Sequence, residues 1–365
     1  MKIAMIGQKG IPTQSGGIER HVEELGRRLV GRGHEVSVYC RPHYTEECLD
    51  IYLGMTLLHK KCINTKHLDA ITHTLVSSID ALTRKYDIVH YHALGPATLS
   101  FIPKIFGKKV VVTVHGLDWQ REKWGKFAKL YLKMGEKATA TFPDRTIVVS
   151  EVLKEYYRDK HGIECAAIPN GVDIPSLLPA DVIRKWGLEK DNYILFLARL
   201  VPEKGCHYLL EAWRRLKTDK LLVIAGGSSH TDDYVNKLHQ AASENVIFTG
   251  FVKGKTLGEL FSNAYIYVLP SEIEGLPISL LEAMSYSLPC LVSDIPENLE
   301  AMGEAGFAFR SKSVDALAEK LQLLINSRED AKALGQKAYA RVQQHFNWEK
   351  VVQETEAVYL NAIQR

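Results

Sequence analysis

The chain has 365 residues, 46% of them hydrophobic and 24% charged, with a formal net charge of +3. A single hydrophobic core rarely serves so long a chain, so two globular domains are expected. No apolar run reaches the roughly 18 residues that span a bilayer, and the first residues read as a strand instead of a secretory signal. These features predict a cytoplasmic protein, with any membrane contact peripheral at the inner face.

The cysteines are too scattered to form a recognisable framework. The chain has six of them, with no Cys-x-x-Cys pair and no compact spacing. Neither a disulfide scaffold nor a zinc finger is indicated, so we expect free thiols in a reducing compartment. The residues are Cys40, Cys48, Cys62, Cys165, Cys206 and Cys290.

Strands and helices alternate through the first half of the chain. Runs rich in β-branched residues are separated by helical periodicity, most clearly at 17–31 and 126–141. Such alternation indicates parallel strands with helices on both faces, the doubly wound architecture. The predicted strands of this domain, 1–172, are 2–7, 35–40, 87–92, 109–115, 145–150 and 165–169.

The loop after the first strand ends in Gly16 and Gly17, directly before a helical pattern. Glycines at this place would let the backbone approach a phosphate at the start of the helix. The Gly-x-Gly-x-x-Gly spacing is absent, and the second strand has no acidic residue at its end. The loop therefore predicts a phosphate contact without a nicotinamide cofactor, although an ordinary glycine-rich turn also explains it.

Histidines lie on two neighbouring strands. His115 ends one strand, where an imidazole can hydrogen-bond a sugar or stabilise transition-state charge. His90 and His92 are two residues apart on the preceding strand, so their side chains lie on the same face, as those of a metal-binding pair would. Neither a carboxylate nor a cysteine has a matching spacing, so a structural role is favoured and no metal is expected.

Basic and aromatic residues are interleaved between positions 101 and 140. This segment holds nine basic and three acidic side chains, within a half of the chain whose net charge is +7. It suits an anionic membrane surface or a phosphate-bearing acceptor, whereas no nucleic-acid partner is expected. A solvated helix face with its rings in the core explains the pattern equally well. Five of the aromatic residues in the segment are Phe106, Trp119, Trp124, Phe127 and Tyr131.

A turn-rich stretch at 169–175 precedes a second series of strands. We assign 173–345 to a second Rossmann-like domain, and 346–365 to a final helix that packs back towards the first domain. Ligands of such sheets bind beyond the carboxyl ends of the strands, so the active site is expected in a cleft between the domains. The predicted strands are 193–199, 221–226, 245–250, 265–270, 290–294 and 306–309, followed by helices from about 313.

Two cations, Arg199 and Lys204, follow the first strand of the second domain in a single loop. Together they can hold a diphosphate and neutralise the charge that it gains on leaving. Taken alone, Lys204 is explained as well by a surface salt bridge to the adjacent Glu203.

The strongest motif follows the strand 265–270. Glu274 lies in the loop, and Glu282 lies on the second turn of a helix whose first turn holds Pro277. Unpaired N–H groups and the helix dipole favour a diphosphate there, and the two carboxylates can accept hydrogen bonds from sugar hydroxyls. Considered singly, Glu274 is explained by capping and Glu282 by a solvated helix face. The predicted donor contacts at the helix start are Gly275, Leu276, Pro277 and Ile278.

Taken together, these motifs resemble glycosyltransferase family 4, whose members are retaining enzymes with the two-domain GT-B fold. The resemblance runs over nearly the whole chain, and its ordered agreement is more specific than any one motif. The matching residues are Gly16-Gly17-Ile18-Glu19, His115-Gly116, Pro169-Asn170-Gly171-Val172-Asp173, Arg199 with Lys204, and Glu274 with Glu282.

The resemblance implies transfer of a sugar from a nucleotide-diphosphate sugar to a hydroxyl of a glycan or lipid-linked acceptor. It implies that Arg199 and Lys204 bind the donor diphosphate, Glu282 the ribose and Glu274 the transferred sugar. The backbone of Val252 is implied to recognise the base. The setting that it implies is bacterial surface polysaccharide or glycoconjugate synthesis.

Two details bear on the choice of substrate. Segments 8–12 and 115–124 resemble a bacterial subgroup that includes rhamnosyltransferases of surface polysaccharides. Many family members have Gly-Phe-Gly after the first glutamate of the motif, where this chain has Gly275-Leu276-Pro277. Pro277 lacks a backbone N–H, so the donor contact at this point is expected to differ. Glu19 and Asn170 are implied on the acceptor side or between the domains.

The implied mechanism retains the configuration at the anomeric carbon, and the leaving phosphate takes the acceptor proton. His115, Arg199, Lys204 and Glu274 are the expected catalytic residues, with no metal and no cofactor beyond the nucleotide sugar. The alternatives are another GT-B enzyme, such as a nucleotide-sugar epimerase or a phosphorylase, and a two-lobed sugar-binding protein without catalysis. The paired diphosphate cations and the missing secretory signal argue against the sugar-binding protein, whereas another GT-B enzyme would share the same diphosphate site.

Overall fold

A computed structural model describes residues 1–14, 16–45, 47–65, 68–121, 124–228 and 231–364. The chain forms two compact units, one of Met1–Gly171 with Trp348–Arg365 and the other of Val172–Asn347. Each contains a sheet of parallel strands combined with helices, which confirms the predicted doubly wound α/β architecture. Ser15 of the glycine loop, and Glu122 and Lys123 of the basic segment, lie outside the described residues.

Unit 1 is built on eight strands that are parallel except for one short antiparallel pair. The strands are β1 (Lys2–Ile6), β2 (Glu35–Cys40), β3 (Ile51–Tyr52), β4 (Met55–His59), β5 (Ile88–His92), β6 (Val110–Val114), β7 (Arg145–Val148) and β8 (Ala166–Ala167), in the order β3-β4-β2-β1-β5-β6-β7-β8. The helices are α1 (Gly17–Gly31), α2 (Asp69–Leu82), α3 (Leu94–Ala97), α4 (Phe101–Ile105), α5 (Lys126–Thr141) and α6 (Glu151–His161).

The hairpin formed by β3 and β4 was not predicted. β4 extends the sheet in parallel beside β2, and Met55 and Leu57 bury their side chains there. β3 has only two residues, and Leu53 and Gly54 turn the chain with positive φ angles. Short runs that are rich in Met and Leu carry little strand propensity, so the sheet itself stabilises this strand.

Unit 2 is built on six parallel strands with the order β11-β10-β9-β12-β13-β14. They are β9 (Tyr193–Leu197), β10 (Leu221–Ala225), β11 (Val246–Gly250), β12 (Ile266–Leu269), β13 (Cys290–Ser293) and β14 (Phe307–Phe309). The helices are α7 (Cys206–Trp213), α8 (Asp232–Ala241), α9 (Gly254–Asn263), α10 (Ile278–Ser285), α11 (Pro296–Met302), α12 (Val314–Asn326) and α13 (Arg328–His345). All six predicted strands are present within a few residues of their expected limits.

The last helix, α14 (Trp348–Ile363), belongs to the core of unit 1. Its apolar residues join those of β1 and α1 in one buried cluster. The guanidinium carbon of Arg28 lies 5.0 Å from the centroid of the Trp348 ring, a cation–π contact on top of the apolar burial. No helix of the described residues is both long and apolar enough to cross a membrane.

Replacement of Trp348 by alanine should destabilise unit 1 by about 3–5 kcal/mol, because a large buried ring leaves a cavity. Thermal or urea unfolding of the full chain measures this. Leu360→Ala is the matched control, since Leu360 lies on the same helix but is 50% exposed. It should change stability by no more than about 0.5 kcal/mol. Equal losses in the two variants would contradict the placement of Trp348 in the core.

Candidate active site

The ends of β9 and β12 are held together by a close backbone approach. Gly205 has a φ of +69°, and a Cβ atom there would lie 2.0 Å from the carbonyl oxygen of Pro270. The N–H of Glu272 donates to the carbonyl of Glu203 at 2.8 Å, between the same two loops. Glycine is therefore required at 205, and it brings the cationic loop against the loop that carries Glu274.

Lys204 and Glu274 form an ion pair across these loops, although they are 70 residues apart in the sequence. Lys204 Nζ donates to Glu274 Oε1, and the Ser271 hydroxyl donates to the same oxygen at 2.7 Å. Both side chains are shielded from water, at 15% and 8% exposure. Glu203, the salt-bridge partner considered from the sequence, is buried, and its carboxylate has no hydrogen-bond partner among the described residues. The positions of Lys204 and Glu274 are thus fixed by each other.

Helix α10 begins one residue later than predicted. Pro277 precedes it with an extended ψ of 102°, and its carbonyl accepts from the N–H groups of Leu280 and Leu281 at 3.1 and 3.2 Å. The N–H groups of Ile278 and Ser279 therefore have no acceptor within the helix. The start of α10 offers these two donors, and Gly275 and Ile278 are partly exposed there, whereas Leu276 and Pro277 are buried.

Tyr267 connects this helix start to β9. Its hydroxyl lies 2.8 Å from Ser279 Oγ and 3.3 Å from the carbonyl oxygen of Leu197. Burial raises the pKa of Tyr267 well above its usual range, so the phenol stays neutral and can donate. Arg199 lies two residues beyond the end of β9 and is partly exposed, as is Glu282 on the second turn of α10. The structure thus gathers Arg199, Lys204, Glu274 and the start of α10 at the carboxyl ends of two paired strands. The other predicted donor contacts, Gly16, Gly17 and Val252, lie elsewhere.

An aromatic residue that the sequence analysis did not single out lies beside Val252. Phe251 follows β11 and is 57% exposed. Its ring lies over the backbone of Gly227, where an added Cβ would be 2.5 Å from Phe251 Cε2. The strand order places β11 two positions from β9, on the same parallel sheet. The available signal in the sequence was an aromatic residue directly after the predicted strand 245–250.

In unit 1, two carboxylates of α1 accept hydrogen bonds from the backbone of the glycine loop. Glu19 Oε1 accepts from the N–H of Lys9 at 3.0 Å, and Glu23 Oε2 accepts from the N–H of Thr13 at 2.7 Å. The Glu19 carboxylate also lies beside Gly16. Glu19 therefore has a local structural partner, and its charge opposes an anion at Gly16. The phosphate contact of Gly16 and Gly17 stays a prediction.

His115 lies directly after β6 within a group of histidines. His115 Nε2 is 3.2 Å from His92 Nδ1, and His21 Nδ1 is 2.9 Å from the Oδ1 of buried Asn170. His90 is buried between Tyr359 and Thr113, with one ring nitrogen 2.7 Å from each hydroxyl. The sequence pattern placed only His90 and His92 side by side. The fold brings His21 and His115, from other elements, close to His92.

Loss of hydration lowers the pKa of every histidine in this group. Burial lowers the pKa of His21 to about 4 and that of His90 to about 3. It also holds the pKa values of His92 and His115 well below their usual range, with smaller contributions from the neighbouring imidazoles. These rings are therefore neutral at physiological pH, when each has one donor and one acceptor nitrogen.

The close approach at Gly205 can be tested by comparing two glycines. Gly187 has a φ of +70° with open space around its Cα, whereas Gly205 has a φ of +69° and faces the Pro270 carbonyl. Alanine at either position has to adopt a left-handed conformation, at a cost of about 1–2 kcal/mol. We expect Gly205→Ala to lose at least twice the unfolding free energy that Gly187→Ala loses, measured by urea denaturation. Equal losses would contradict the steric contact.

Comparison with known protein families accounts for most of the chain. Residues 15–175 match the profile described as Glycosyltransferase Family 4, and residues 180–341 match Glycosyl transferases group 1. An uncharacterized glycosyltransferase of Methanocaldococcus jannaschii is 26% identical, with 100% of this chain and 99% of that protein covered. The Escherichia coli UDP-Gal:alpha-D-GlcNAc-diphosphoundecaprenol alpha-1,3-galactosyltransferase is 28% identical, with 76% of each chain covered.

Solved structures show the same fold. Sucrose-phosphate synthase from Thermosynechococcus elongatus superposes with a TM-score of 0.86 at 21% identity, over 98% of each chain. Anabaena HepE in complex with UDP-glucose superposes with a TM-score of 0.82 at 19% identity, over 98% of this chain and 99% of that chain. With its two Rossmann-like sheets and both halves matched, this chain belongs to the group 1, family 4 glycosyltransferases of the GT-B fold.

Proposed function

We propose that this glycosyltransferase moves a sugar, with retention, from a nucleotide-diphosphate sugar to a hydroxyl of a glycan or lipid-linked acceptor. The observation that carries the proposal is the shielded Lys204–Glu274 pair beside the start of α10. It combines a cation for a phosphate, a carboxylate for sugar hydroxyls and backbone donors within one small region. The setting proposed is bacterial surface polysaccharide or glycoconjugate synthesis, and a rhamnosyl donor stays a prediction.

The diphosphate would be held by charges and backbone donors of unit 2. Arg199 and Lys204 supply two positive charges on one loop, and the N–H groups of Ile278 and Ser279 are available at the start of α10. These groups stabilise the charge that develops on the leaving phosphate, so we expect no requirement for a metal. The leaving phosphate then takes the proton of the acceptor hydroxyl.

Glu274 would position the transferred sugar. Its Oε1 is occupied by Lys204 and Ser271, which leaves Oε2 to accept from sugar hydroxyls. Pro277 offers no N–H, so the first backbone donors come from the helix itself at 278 and 279. We therefore propose that the sugar is bound mainly through side chains. His115 stays a proposed catalytic residue.

The nucleoside would bind near Glu282 and the end of β11. The Glu282 carboxylate accepts from the ribose hydroxyls, and the backbone of Val252 contacts the base. The exposed ring of Phe251 provides an apolar surface on which a base can stack. The HepE complexes with UDP and UDP-glucose support a nucleotide-sugar donor, and the galactosyltransferase relative supports a diphosphate-linked lipid acceptor.

Release of nucleoside diphosphate from UDP-, dTDP-, GDP- and ADP-sugars tests the proposal. One donor should be cleaved, and Arg199→Ala, Lys204→Ala and Glu282→Ala should each lower kcat/KM by about 10²–10³, because each removes charge or orientation from the donor. Activity should persist in EDTA. Arg215→Ala, which removes an exposed cation paired with Glu211, is the control and should retain activity.

Two outcomes would favour the alternatives. Conversion of the donor sugar to an epimer, without acceptor-dependent release, would identify an epimerase. Donor protection against thermal unfolding with no turnover of any acceptor would identify a sugar-binding protein. Full activity in Glu282→Ala would exclude the proposed donor site.

We further propose that unit 1 touches an anionic membrane surface through α5. Phe127, Leu130 and Met134 are 91%, 60% and 60% exposed and lie on one side of the helix at spacings of three and four residues. Lys126, Lys133 and Lys137 fall on the adjacent strip of the same helix. An exposed apolar stripe beside lysines is typical of a helix that lies on an anionic bilayer.

Four aromatic residues of this segment fall into two groups. Trp119 donates to Glu136 Oε2 at 2.6 Å, and the Tyr131 hydroxyl lies 2.6 Å from Thr98 Oγ1, so both have structural partners. Phe106 and Phe127 are exposed instead. Phe106 follows α4 and lies between Lys104 and Lys108 in the sequence. An exposed aromatic ring and two lysines thus occur together there, as apolar residues and lysines do on α5.

Sedimentation with lipid vesicles tests the membrane proposal. The protein should bind phosphatidylglycerol vesicles at low salt, weakly bind phosphatidylcholine, and lose binding as salt rises, because screening weakens the attraction of lysines to anionic lipid. Serine at positions 127, 130 and 134 together should weaken binding at least tenfold. Serine at Leu323 and Leu360, which are exposed in other regions, is the control. Binding that survives the triple substitution would exclude α5 as the membrane-contacting face.

A further inference from the structure

Three imidazoles converge in unit 1 from distant parts of the chain. His21 comes from α1, His92 is the last residue of β5, and His115 follows β6. Their ring centroids are 4.9 Å apart for His21 and His115, 5.5 Å for His92 and His115, and 5.8 Å for His21 and His92. One nitrogen of each ring lies within 4.8 Å of one nitrogen of the other two.

We propose that His21, His92 and His115 form a three-imidazole site for a divalent transition metal of the Zn²⁺ class. A tetrahedral ion with metal–nitrogen bonds of about 2.0–2.1 Å separates its ligand nitrogens by about 3.3 Å and the ring centroids by about 5 Å. The nitrogens of His92 and His115 are 3.2 Å apart, and the three centroid distances bracket the expected spacing closely. Binding would replace a histidine–histidine contact without a large change in ring position.

The surroundings of the three histidines are those expected of metal ligands. Asn170 Oδ1 lies 2.9 Å from His21 Nδ1, so it fixes the ring and leaves Nε2 as the nitrogen that a metal could use. A carbonyl oxygen behind a metal-binding histidine is the usual second partner of such ligands. His92 Nδ1 is the nitrogen that faces His115, so a metal would bind His92 through Nδ1, and the buried Nε2, which has no hydrogen-bond partner among the described residues, would not be a ligand.

His90 is close to the cluster but is not a ligand. Its ring centroid is 4.2 Å from that of His92, yet both nitrogens already face hydroxyl groups of Tyr359 and Thr113. His90 therefore packs against His92 without being a ligand. It serves as the matched control for the histidine substitutions. Of the two histidines that the strand pattern places on one face, only His92 is a proposed ligand.

The site would leave one coordination position open. Three neutral imidazoles bring no negative charge, so a divalent ion among them favours an anion such as hydroxide or a phosphate oxygen in the fourth position. His115 is partly exposed, which leaves a side from which an ion can enter. A bound metal would also occupy a nitrogen of His115, the histidine proposed to take part in catalysis. This last consequence alone rests on the proposed transfer reaction, and it makes the metal an inhibitor.

A second group of metal-binding side chains has to be separated from the first. His43 and Cys62, in the loops after β2 and β4, lie near Asp69 at the start of α2. Cys62 Sγ is 3.1 Å from Asp69 Oδ1, and His43 Nε2 is 3.5 Å from Asp69 Oδ2. Arg41 already holds Asp69 at 2.7 Å, so a cation there would have to share the carboxylate with a guanidinium. A thiolate ligand gives cobalt a charge-transfer absorption that imidazoles do not give.

Titration of the metal-free full chain with Co²⁺, followed by Zn²⁺ competition, tests the site without donor or acceptor. We expect one Co²⁺ per chain, with visible bands of a tetrahedral ion and no thiolate charge-transfer band. His21→Gln and His92→Gln should each weaken binding at least tenfold, and Asn170→Ala by about 10–100-fold. His90→Gln and Cys62→Ser should stay within threefold of the parent, and circular dichroism of each variant verifies folding.

The results separate this inference from the proposed function. A thiolate band that disappears in Cys62→Ser, unchanged affinity in His21→Gln, or no cobalt spectrum in the parent chain would each overturn the three-histidine site, whatever the transferase activity. Zn²⁺ that binds with the expected variant pattern supports the site even if no donor is cleaved. If a donor is cleaved, Zn²⁺ should raise the apparent KM for that donor.

Discussion

The backbone contact between Gly205 and the Pro270 carbonyl is the constraint on which the arrangement of unit 2 depends. Parallel strands all end at one edge of a sheet, but their loops meet only where side chains allow it. The absence of a Cβ at 205 lets the loop after β9 lie against the loop after β12. Lys204 then reaches Glu274, and both are held in a place where water is largely excluded. An ion pair in such surroundings is sensitive to the loss of either partner.

Most of the fold could be predicted because strands buried on both faces appear as apolar, β-branched runs. All twelve strands expected from the sequence are present, and α1 and α5 coincide with their predicted limits. The hairpin of β3 and β4 could not be predicted, because β3 has two residues and β4 owes its conformation to pairing with β2. The sequence also placed Pro277 within α10, whereas its extended ψ makes it the residue before the helix.

The candidate site could be predicted in its residue types but not in its partners. Glu274 and Lys204 were recognised from their loops, yet Glu203 was as plausible a partner for Lys204 until the two loops were seen together. His21 carried no signal, because its relation to Asn170 spans 149 residues of sequence. Phe251 differs from other exposed rings only by its place after β11. Contacts between distant segments are set by packing, which local periodicity does not encode.

The assignment of α14 to unit 1 has a consequence for synthesis on the ribosome. The core of this unit contains Trp348, Val352 and Tyr359, which are made after the whole of unit 2. Unit 2 is therefore a continuous insertion that can complete its core during translation. Unit 1 cannot complete its core until the last helix has been synthesised, and until then apolar surface on β1 and α1 stays uncovered. Premature termination anywhere in the final helix would leave an intact second unit attached to an incomplete first one, a species exposed to chaperones and proteases.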